Sequence, residues 1–227
     1  MQYHTLFFTR RARFGAVAFT LLALGLSACA SMSQKGKGAI IGAGVGGAVG
    51  AVVGNNTGST ARGAIIGAAV GGLTGTVIGN QMDQQAKEIK TQVPGADVQR
   101  VGEGIQVTFA SSMLYDFDSD LVRAEAASNL RNLAASLAKY PDTDVLIVGH
   151  TDATGTADYN QGLSQRRATA AANYLMAQGV SSTRIRTAGR GEMEPIATNE
   201  TELGRQTNRR VEVAIVANAA ARKTTGF

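Results

Sequence analysis

The chain has no tryptophan, a single cysteine and three prolines among its 227 residues, and charged side chains make up 17% of it. One cysteine excludes an internal disulfide. The net charge is +5, but Arg10, Arg11 and Arg13 lie in an N-terminal segment without acids; leaving out these three of the 22 basic residues leaves 19 against 17 acidic ones. Basic stretches interleaved with aromatic side chains are also missing. A nucleic-acid partner is therefore not expected.

Histidine is scarce as well, since the two histidines are His4, inside the N-terminal segment, and His150. A zinc site or a Ser–His pair needs a constellation of side chains that one histidine does not supply. We therefore expect no catalytic residue, no metal and no cofactor. His150 is interpreted as a strand-end residue whose ring is satisfied.

Residues 1–28 have the three parts of an export signal. Arg10 to Arg13 are positive, Phe14 to Leu26 are apolar, and small residues lead up to Cys29. An ordinary secretory signal with a chance cysteine is one interpretation. The position of the cysteine favours another, a bacterial lipoprotein leader, which this segment resembles. That resemblance implies that Cys29 is lipidated and, because Ala30 replaces the aspartate of the inner-membrane retention signal, that the protein lies at the periplasmic face of the outer membrane.

After a linker over residues 29–37, a glycine-rich segment occurs twice. Residues 38–55 return 25 positions later as residues 63–80, with 13 of 18 positions identical and no charge in either copy. Glycine occupies every fourth position, and on a helix this spacing makes a smooth groove against which another helix packs. We therefore predict a duplicated glycine-zipper helical hairpin over residues 38–80 that self-associates or contacts a membrane.

Two other interpretations of the repeat are weaker. A flexible linker would favour serine and would not keep isoleucine and valine in register. Gly42, Gly44 and Gly47 match the G-x-G-x-x-G pattern of a dinucleotide loop, but no strand pattern precedes them and no acid follows at the required spacing. The hairpin itself is short for a membrane: at ~1.5 Å per residue a copy spans about 27 Å, against a hydrocarbon core of ~30 Å.

Beyond the repeat the periodicity changes. Residues 81–95 predict a short amphipathic stem, with Met82, Ala86, Ile89 and Val93 on one stripe and Pro94-Gly95 at its end. In residues 96–218 alternating and helical patterns follow one another. The predicted strands are Val98–Val101, Ile105–Phe109, Met113–Phe117, Asp144–Gly149, Arg184–Thr187 and Arg210–Val216, and the predicted helices are Leu121–Tyr140 and Ala157–Gly179.

This order of elements predicts an α/β fold, a βαβαββ two-layer sandwich of about 120 residues, which is large enough for its own core. Residues 219–227 form a tail. The whole chain is thus expected to be a leader, a linker, a glycine-zipper hairpin, a stem and a C-terminal domain.

One charged residue breaks the apolar face of the second helix. Leu163, Ala170, Tyr174 and Leu175 lie on one stripe, and Arg167 falls inside it. A buried guanidinium is costly unless an anion meets it. Asp152 follows the apolar run that predicts a buried strand, so the two opposite charges are a candidate site for a small zwitterion. Alternatively, Arg167 forms a structural ion pair with Asp152 or Glu192, and Asp152 caps a turn.

Several motifs carry a family resemblance. In order along the chain they are Phe117-Asp118, Gly149-His150-Thr151-Asp152-Ala153-Thr154-Gly155, Asn160 to Ala168, Gly189-Arg190-Gly191-Glu192, Gly204-Arg205 and Asn208-Arg209-Arg210-Val211-Glu212. Together they resemble the OmpA-like peptidoglycan-binding domain over roughly Ile105 to Val216. With the leader and the glycine repeat, the whole chain resembles the YiaD-type lipoproteins of the OmpA family.

The resemblance implies non-covalent binding of the diaminopimelate side chain of the peptidoglycan stem peptide. It implies Asp152 as the partner of the ligand ammonium and Arg167 as the clamp on its carboxylate, because a guanidinium presents a planar fork to a carboxylate. The other ligand-binding residues expected are Asp118, Asn160, Leu163, Ser164 and Arg210. Of Arg209 and Arg210, one should face solvent and the other support the site or the loop near residue 190.

The expected function is a tether between the outer membrane and the cell wall. A peptidoglycan hydrolase is disfavoured because Asp152 is expected beside a cation, which neutralises an acid rather than activating it. A membrane-active or channel-associated glycine-zipper protein, with wall binding only as its anchor, is the alternative. Flagellar stators share the C-terminal domain, but they need a transmembrane acid, and the chain has none between Cys29 and Asp83.

Overall fold

A five-stranded mixed sheet forms the centre of the fold. The computed structural model describes residues 59–70 and 76–224 of the chain. The strand order is β1-β2-β5-β3-β4, and of these neighbours β3 and β4 are parallel while the other pairs are antiparallel. The strands are β1 (Asp97–Val101), β2 (Gly104–Ala110), β3 (Thr143–Gly149), β4 (Ile185–Gly189) and β5 (Arg210–Ala217).

Helices connect the strands and cover the sheet. They are α1 (Thr60–Val70), α2 (Thr76–Gln92), α3 (Ser111–Leu114), α4 (Ala127–Lys139), α5 (Ala157–Ala177), α6 (Glu202–Asn208) and α7 (Ala219–Thr224), with a short 3-10 helix at Ser182–Arg184. The predicted α/β class, the β1–β2 hairpin and the two long helices are confirmed. Helix α6, between β4 and β5, has no counterpart in the prediction.

One predicted strand near residue 115 is wrong, and the start of the helix after it is shifted. The strand expected over Met113–Phe117 is replaced by α3 and by an isolated bridge between Tyr115 and Val122. The first long helix starts at Ala127 instead of Leu121, because residues 116–126 form a loop in which Leu121 is 77% exposed. This loop covers part of α5, since Ser119 and Asp120 accept hydrogen bonds from Arg167 and Arg166.

The main core lies between one face of the sheet and helices α2, α4 and α5. Val107 and Phe109 of β2 and Val213 and Ile215 of β5 alternate toward it, and the inward stripe of α4 completes it. Met82, Ala86, Ile89 and Val93 of the predicted stem are buried in the same core. The core therefore continues across the domain boundary predicted at Pro94-Gly95.

The other face of the sheet is covered by α1, which contains the start of the second glycine repeat. Its buried residues are Ala61, Ala64, Ile65 and Ala68. They pack against apolar residues of β3, β4 and β5: Leu146, Val148, Ala188, Ala214 and Val216. The approach is close, since a Cβ on Gly104 would lie 2.6 Å from Cγ2 of Ile65. Where α1 lies, the fold therefore has three layers instead of the predicted two.

The predicted glycine-zipper hairpin is only partly covered by the described residues. The first copy, residues 38–55, and the leader with Cys29 lie outside them. The second copy contributes α1 and the beginning of α2, so over residues 60–70 the flexible-linker interpretation is wrong. No helix in the two described stretches has both the length and the apolar character needed to cross a bilayer.

Candidate functional site

The candidate site is built around the N-terminal half of α5. Thr156 caps this helix by accepting a hydrogen bond from the Tyr159 amide at 3.3 Å. The helix backbone touches the ends of β3 and β4: a Cβ on Gly149 would lie 2.1 Å from the Ser164 carbonyl oxygen, and one on Gly189 would lie 2.6 Å from the Gln165 nitrogen. Glycine at these two strand ends thus fixes the position of the helix that carries the predicted ligand-binding residues.

Arg167 is buried, with 4% of its surface exposed, and it is not paired with an acid in the part of the chain described. Its Nε donates to the Ser119 carbonyl at 2.9 Å and its Nη2 lies 3.5 Å from the Asp116 carbonyl. The guanidinium also lies 5.4 Å from the centre of the Tyr115 ring, a cation–π distance. Burial lowers the pKa of Arg167 from its ordinary value. Loop carbonyls, rather than Asp152 or Glu192, therefore hold this cation.

Asp152 is buried and engaged by Arg209. Its Oδ2 accepts a short hydrogen bond from Arg209 Nη1, and its Oδ1 accepts from the Thr154 amide at 2.9 Å. Burial acts to raise the pKa of Asp152, but the hydrogen bonds from Arg209 and Thr154 outweigh it and the pKa is lowered. Arg209 in turn donates to Glu202 at 2.6 Å. The predicted turn-capping role of Asp152 is confirmed, and the ion pair proposed between Asp152 and Arg167 is not formed.

Asn160 and Ser164 join α5 to the loops that follow β3 and β4. The Asn160 amide donates to the Thr154 carbonyl at 3.1 Å and to Glu192 at 2.6 Å. The Ser164 hydroxyl accepts from the Gly191 amide at 2.8 Å. Both side chains and that of Leu163 are buried. These three predicted residues lie together on the flank of the helix that faces the two loops.

Asp118 lies on the exposed loop that covers Arg167. It has a positive φ of 55°, unusual for a residue other than glycine, and its carboxylate accepts a short hydrogen bond from the Tyr159 hydroxyl. Tyr159 precedes Asn160 on α5, so Asp118 closes the loop onto the start of that helix. Beside it Phe117 is 95% exposed.

Arg210 does not lie with the other predicted ligand-binding residues, but it supports the loop near residue 190, as expected of one of the two arginines. It is fully buried on the sheet face opposite α5, where Nε pairs with Glu212 at 2.8 Å and the other nitrogens donate to the carbonyls of Asn208 and Glu194. Strand alternation explains this, since Arg210, Glu212 and Ala214 share one face of β5. The residue that reaches the site is Arg209, just before the strand. Two adjacent arginines look alike in the sequence. Side chains alternate along a strand, so Arg210 shares the face of Glu212 and Arg209 does not.

Sequence reasoning also missed Tyr115, Tyr159 and Glu192 as site residues. Each supports a predicted residue. The Tyr115 ring lies under the Arg167 guanidinium, and its hydroxyl donates to the backbone carbonyl of Arg167 at 2.6 Å. Tyr159 donates to Asp118, and Glu192 accepts from Asn160. None lies at a position that helical or strand periodicity marks. Glu192 alone carried a signal, as an acid inside a motif of the resemblance.

His150 belongs to a second group of charged side chains, with Glu194, Arg210 and Glu212, on the sheet face opposite α5. Its ring nitrogens lie 3.9 Å from Glu194 and 3.7 Å from Glu212, and neither makes a hydrogen bond to the part of the chain described. The strand-end position is as predicted, but the satisfied ring is wrong. Burial lowers the pKa of His150, which favours the neutral imidazole. Within residues 59–70 and 76–224 no group of three His, Cys, Asp or Glu side chains is arranged to hold a metal ion.

Chemically, the residues around α5 include a buried guanidinium, Arg167, and a buried carboxylate, Asp152. The guanidinium is held by neutral carbonyls, whereas the carboxylate is held by the Arg209 guanidinium and by a backbone amide. Such a pair suits a ligand with an acid and an amine.

This arrangement, a mixed sheet with a helix held by loops around a buried Arg and Asp, is that of the OmpA-like α/β domain. The OmpA family profile matches residues 114–209, and the YMGG-like glycine-zipper profile matches residues 10–83. A "Peptidoglycan-associated lipoprotein" of Brucella melitensis is 35% identical over 56% of this chain and 75% of its own length. The chain belongs to the OmpA family, and the predicted family is confirmed.

Two further proteins are similar. The "Probable lipoprotein YiaD" of Escherichia coli is 38% identical over 59% of this chain and 62% of its own length, so the chain spans less than two thirds of that relative. Among solved structures, "The structure of the cell wall anchor of the T6SS from Pseudomonas aeruginosa" superposes with a TM-score of 0.53 and 34% identity, covering 60% of this chain and 97% of the other.

Proposed function

We propose that this protein binds peptidoglycan without covalent bonds or catalysis and tethers the outer membrane to the cell wall. The observation that carries the proposal is Arg167, a buried guanidinium held by loop carbonyl oxygens and paired with no acid among the described residues. Peptidoglycan is proposed as the polymer because two similar proteins are named as a peptidoglycan-associated lipoprotein and a cell wall anchor.

The ligand is the free end of diaminopimelate, with its ammonium and carboxylate on one carbon. Arg167 receives the carboxylate through its planar fork, and Asp152 receives the ammonium. Arg209 then keeps Glu202 as its partner, so that no buried cation is left unpaired. Asn160, Leu163 and Ser164 shape the wall between the two charges, and Asp118 and Tyr159 close the loop over it.

The location proposed is the cell envelope, and within it the periplasmic face of the outer membrane. Relatives named as lipoproteins and as an outer membrane porin support the envelope. Lipidation of Cys29 is the anchor proposed. Metabolic labelling with a palmitate analogue tests it: the native chain should be labelled and Cys29→Ser should not.

Self-association through the first glycine repeat is a further proposal, supported by glycine at every fourth residue from Gly38 to Gly54. The alternative function, a membrane-active glycine-zipper protein, is less well supported. Part of the second repeat, over Thr60–Val70, packs against the wall-binding domain's own sheet.

Co-sedimentation of the purified protein with sacculi tests the function. Arg167→Ala and Asp152→Ala should each reduce the bound fraction at least tenfold, because each leaves one ligand charge unpaired. Arg166→Ala, which removes an exposed neighbour paired with Asp120, is the matched control and should bind normally. Undiminished binding by both site variants would overturn the site, and new muropeptides in the supernatant would overturn the non-catalytic function.

A further inference from the structure

The two glycine repeats are nearly identical in the residues that contact the sheet. Aligned over 25 positions, Ala64, Ile65 and Ala68 of the second copy correspond to Ala39, Ile40 and Ala43 of the first. These three positions of the second copy are buried against the sheet. The fourth buried residue, Ala61, corresponds to Gly36, so the first copy lacks one methyl group at this contact and otherwise matches it.

The copies differ at the residues that begin α1. Ser59 and Thr60 correspond to Gln34 and Lys35 in the first copy. In the structure both small hydroxyl residues are buried, and both contact carboxylates of the domain. Ser59 Oγ donates to Glu212 at 2.5 Å, and the Thr60 amide donates to Glu194 at 2.9 Å. Glu194 thus satisfies the Thr60 amide at the start of this helix, Glu212 accepts from the Ser59 hydroxyl, and both acids lie near the positive end of the helix.

The Thr60 hydroxyl has two different partners. It donates to Glu194 in a short hydrogen bond and accepts from Arg190 Nε at 2.7 Å. A lysine at this place has three donors and no acceptor, so its ammonium would lie against the buried Arg190 guanidinium. A glutamine in place of Ser59, which is 3% exposed, adds volume to a close-packed site.

The acids at this place are parts of a buried charged cluster, whose members are His150, Arg190, Glu194, Arg210 and Glu212. Glu212 and Arg210 are 2% and 1% exposed. Glu194 is 17% exposed, but the other four members are buried, so a longer or unpaired polar side chain at Ser59 would meet groups with little access to water.

We propose that this cluster selects the second of the two glycine repeats for docking on the sheet and rejects the first. Ser59 and Thr60 are the specificity residues, and the apolar residues of α1 supply affinity common to both copies. The sheet face is thereby an intramolecular docking surface for one defined helix.

Hydrogen exchange of the full-length protein tests this selection. The double variant Ser59→Gln/Thr60→Lys, which copies the first repeat into the second, should exchange the amides of residues 61–70 at least tenfold faster than wild type. The amides of β5 should stay slow, which shows that the domain remains folded. Arg62→Lys, another difference between the copies, is the comparison variant: it loses the hydrogen bonds of Arg62 to Gln106 and Gln99 but leaves the charged cluster intact, so it should accelerate exchange less than the double variant.

A reciprocal exchange completes the test. Adding Gln34→Ser/Lys35→Thr to the double variant should slow exchange in residues 36–45 relative to the double variant alone. Glu194→Gln, which removes the carboxylate that accepts from Thr60, should also accelerate hydrogen exchange of the amides of residues 61–70. Unchanged exchange of residues 61–70 in the Ser59→Gln/Thr60→Lys variant, or equal acceleration by Arg62→Lys, would overturn the proposal.

Discussion

Asp152 is paired with Arg209 and not with Arg167, so the two charges of the candidate site do not neutralise each other. Arg209 is partly exposed and is shared with Glu202, whereas Arg167 is buried under a loop. The site therefore has one exchangeable cation beside its acid and one fixed cation beside neutral carbonyls. Ligand binding requires only the exchangeable cation to give way.

This arrangement predicts separate effects on stability and binding at Arg209. Arg209→Ala removes a partner of the buried Asp152 and should lower the free energy of unfolding by about 1–2 kcal/mol, because the acid keeps only its backbone hydrogen bond. Binding to sacculi should stay within about threefold of wild type, since the ligand ammonium replaces the guanidinium.

Urea unfolding and co-sedimentation of the same preparations measure the two effects. Arg205→Ala is a matched control, because Arg205 also pairs with Glu202 but does not contact Asp152. A loss of binding in Arg209→Ala as large as in Asp152→Ala would show that Arg209 itself holds the ligand.

The buried cluster on the other face predicts acid sensitivity. Burial acts to raise the pKa of Glu212, but the neighbouring His150 ring, Arg210 and the Ser59 hydroxyl lower it to about 2 from 4.5. The folded pKa is below the unfolded one, so this stabilisation is present above pH 4.5 and is lost as the pH falls toward 2. Burial lowers the pKa of His150, which faces Glu194, Glu212 and Arg210. The unfolded chain therefore binds a proton at this residue more readily than the folded protein, and stability falls further below about pH 6.5.

Urea midpoints measured from pH 7 to pH 3 test this expectation. Glu212→Gln should lose about 3–5 kcal/mol at pH 7, because it leaves the buried Arg210 without its anion, and its stability should depend less on pH below 4.5. Equal pH profiles for the variant and wild type would contradict the role of Glu212.

Much of the fold was predictable, because the periodicity of the central elements is set by burial. Met82, Ala86, Ile89 and Val93 were predicted to share one stripe, and all four are buried in the core. The strand predicted over Met113–Phe117 failed because a short apolar run does not distinguish a strand from a helical turn. The docking of α1 was not predictable, since it depends on carboxylates more than 130 residues away in the chain.

The candidate site was predictable in its α5 residues and not in its connections. Arg167 attracted notice because a charge interrupts an apolar stripe, and its burial agrees with that pattern. Its partners are backbone carbonyls of a loop, which no side-chain pattern encodes. Arg209 and Arg210 are adjacent and chemically identical, and they are separated by the alternation of β5, which places Arg210 on the same face as Glu212.

The planar geometry of Arg167 predicts that charge alone is insufficient. Arg167→Lys keeps the positive charge but has no Nε to donate to Ser119 and no fork for a carboxylate. Sacculus binding should fall about tenfold or more, with little further loss in Arg167→Ala. Arg166→Lys, at the exposed neighbouring position, should bind as wild type. Retained binding in Arg167→Lys would show that the site recognises charge without bidentate geometry.

The contact between Gly149 and α5 predicts a linked loss of stability and function. A Cβ at residue 149 would lie 2.1 Å from the Ser164 carbonyl oxygen and 2.9 Å from its carbonyl carbon. Because both atoms belong to the helix backbone, no side-chain rotation relieves the overlap, and α5 must move as a body. Gly149→Ala should therefore lower the free energy of unfolding by about 1–3 kcal/mol.

The displaced helix carries Asn160, Ser164 and Arg167 away from the loops that hold them, so sacculus binding should fall even at temperatures where the variant is fully folded. Gly162→Ala is the control within the same helix: its Cβ would lie 3.3 Å from the movable Arg166 Nη1. Alanine is the better helix former, so this change should stabilise the protein by up to about 1 kcal/mol and leave binding unchanged. Normal binding by folded Gly149→Ala would mean that the strand end does not position the site.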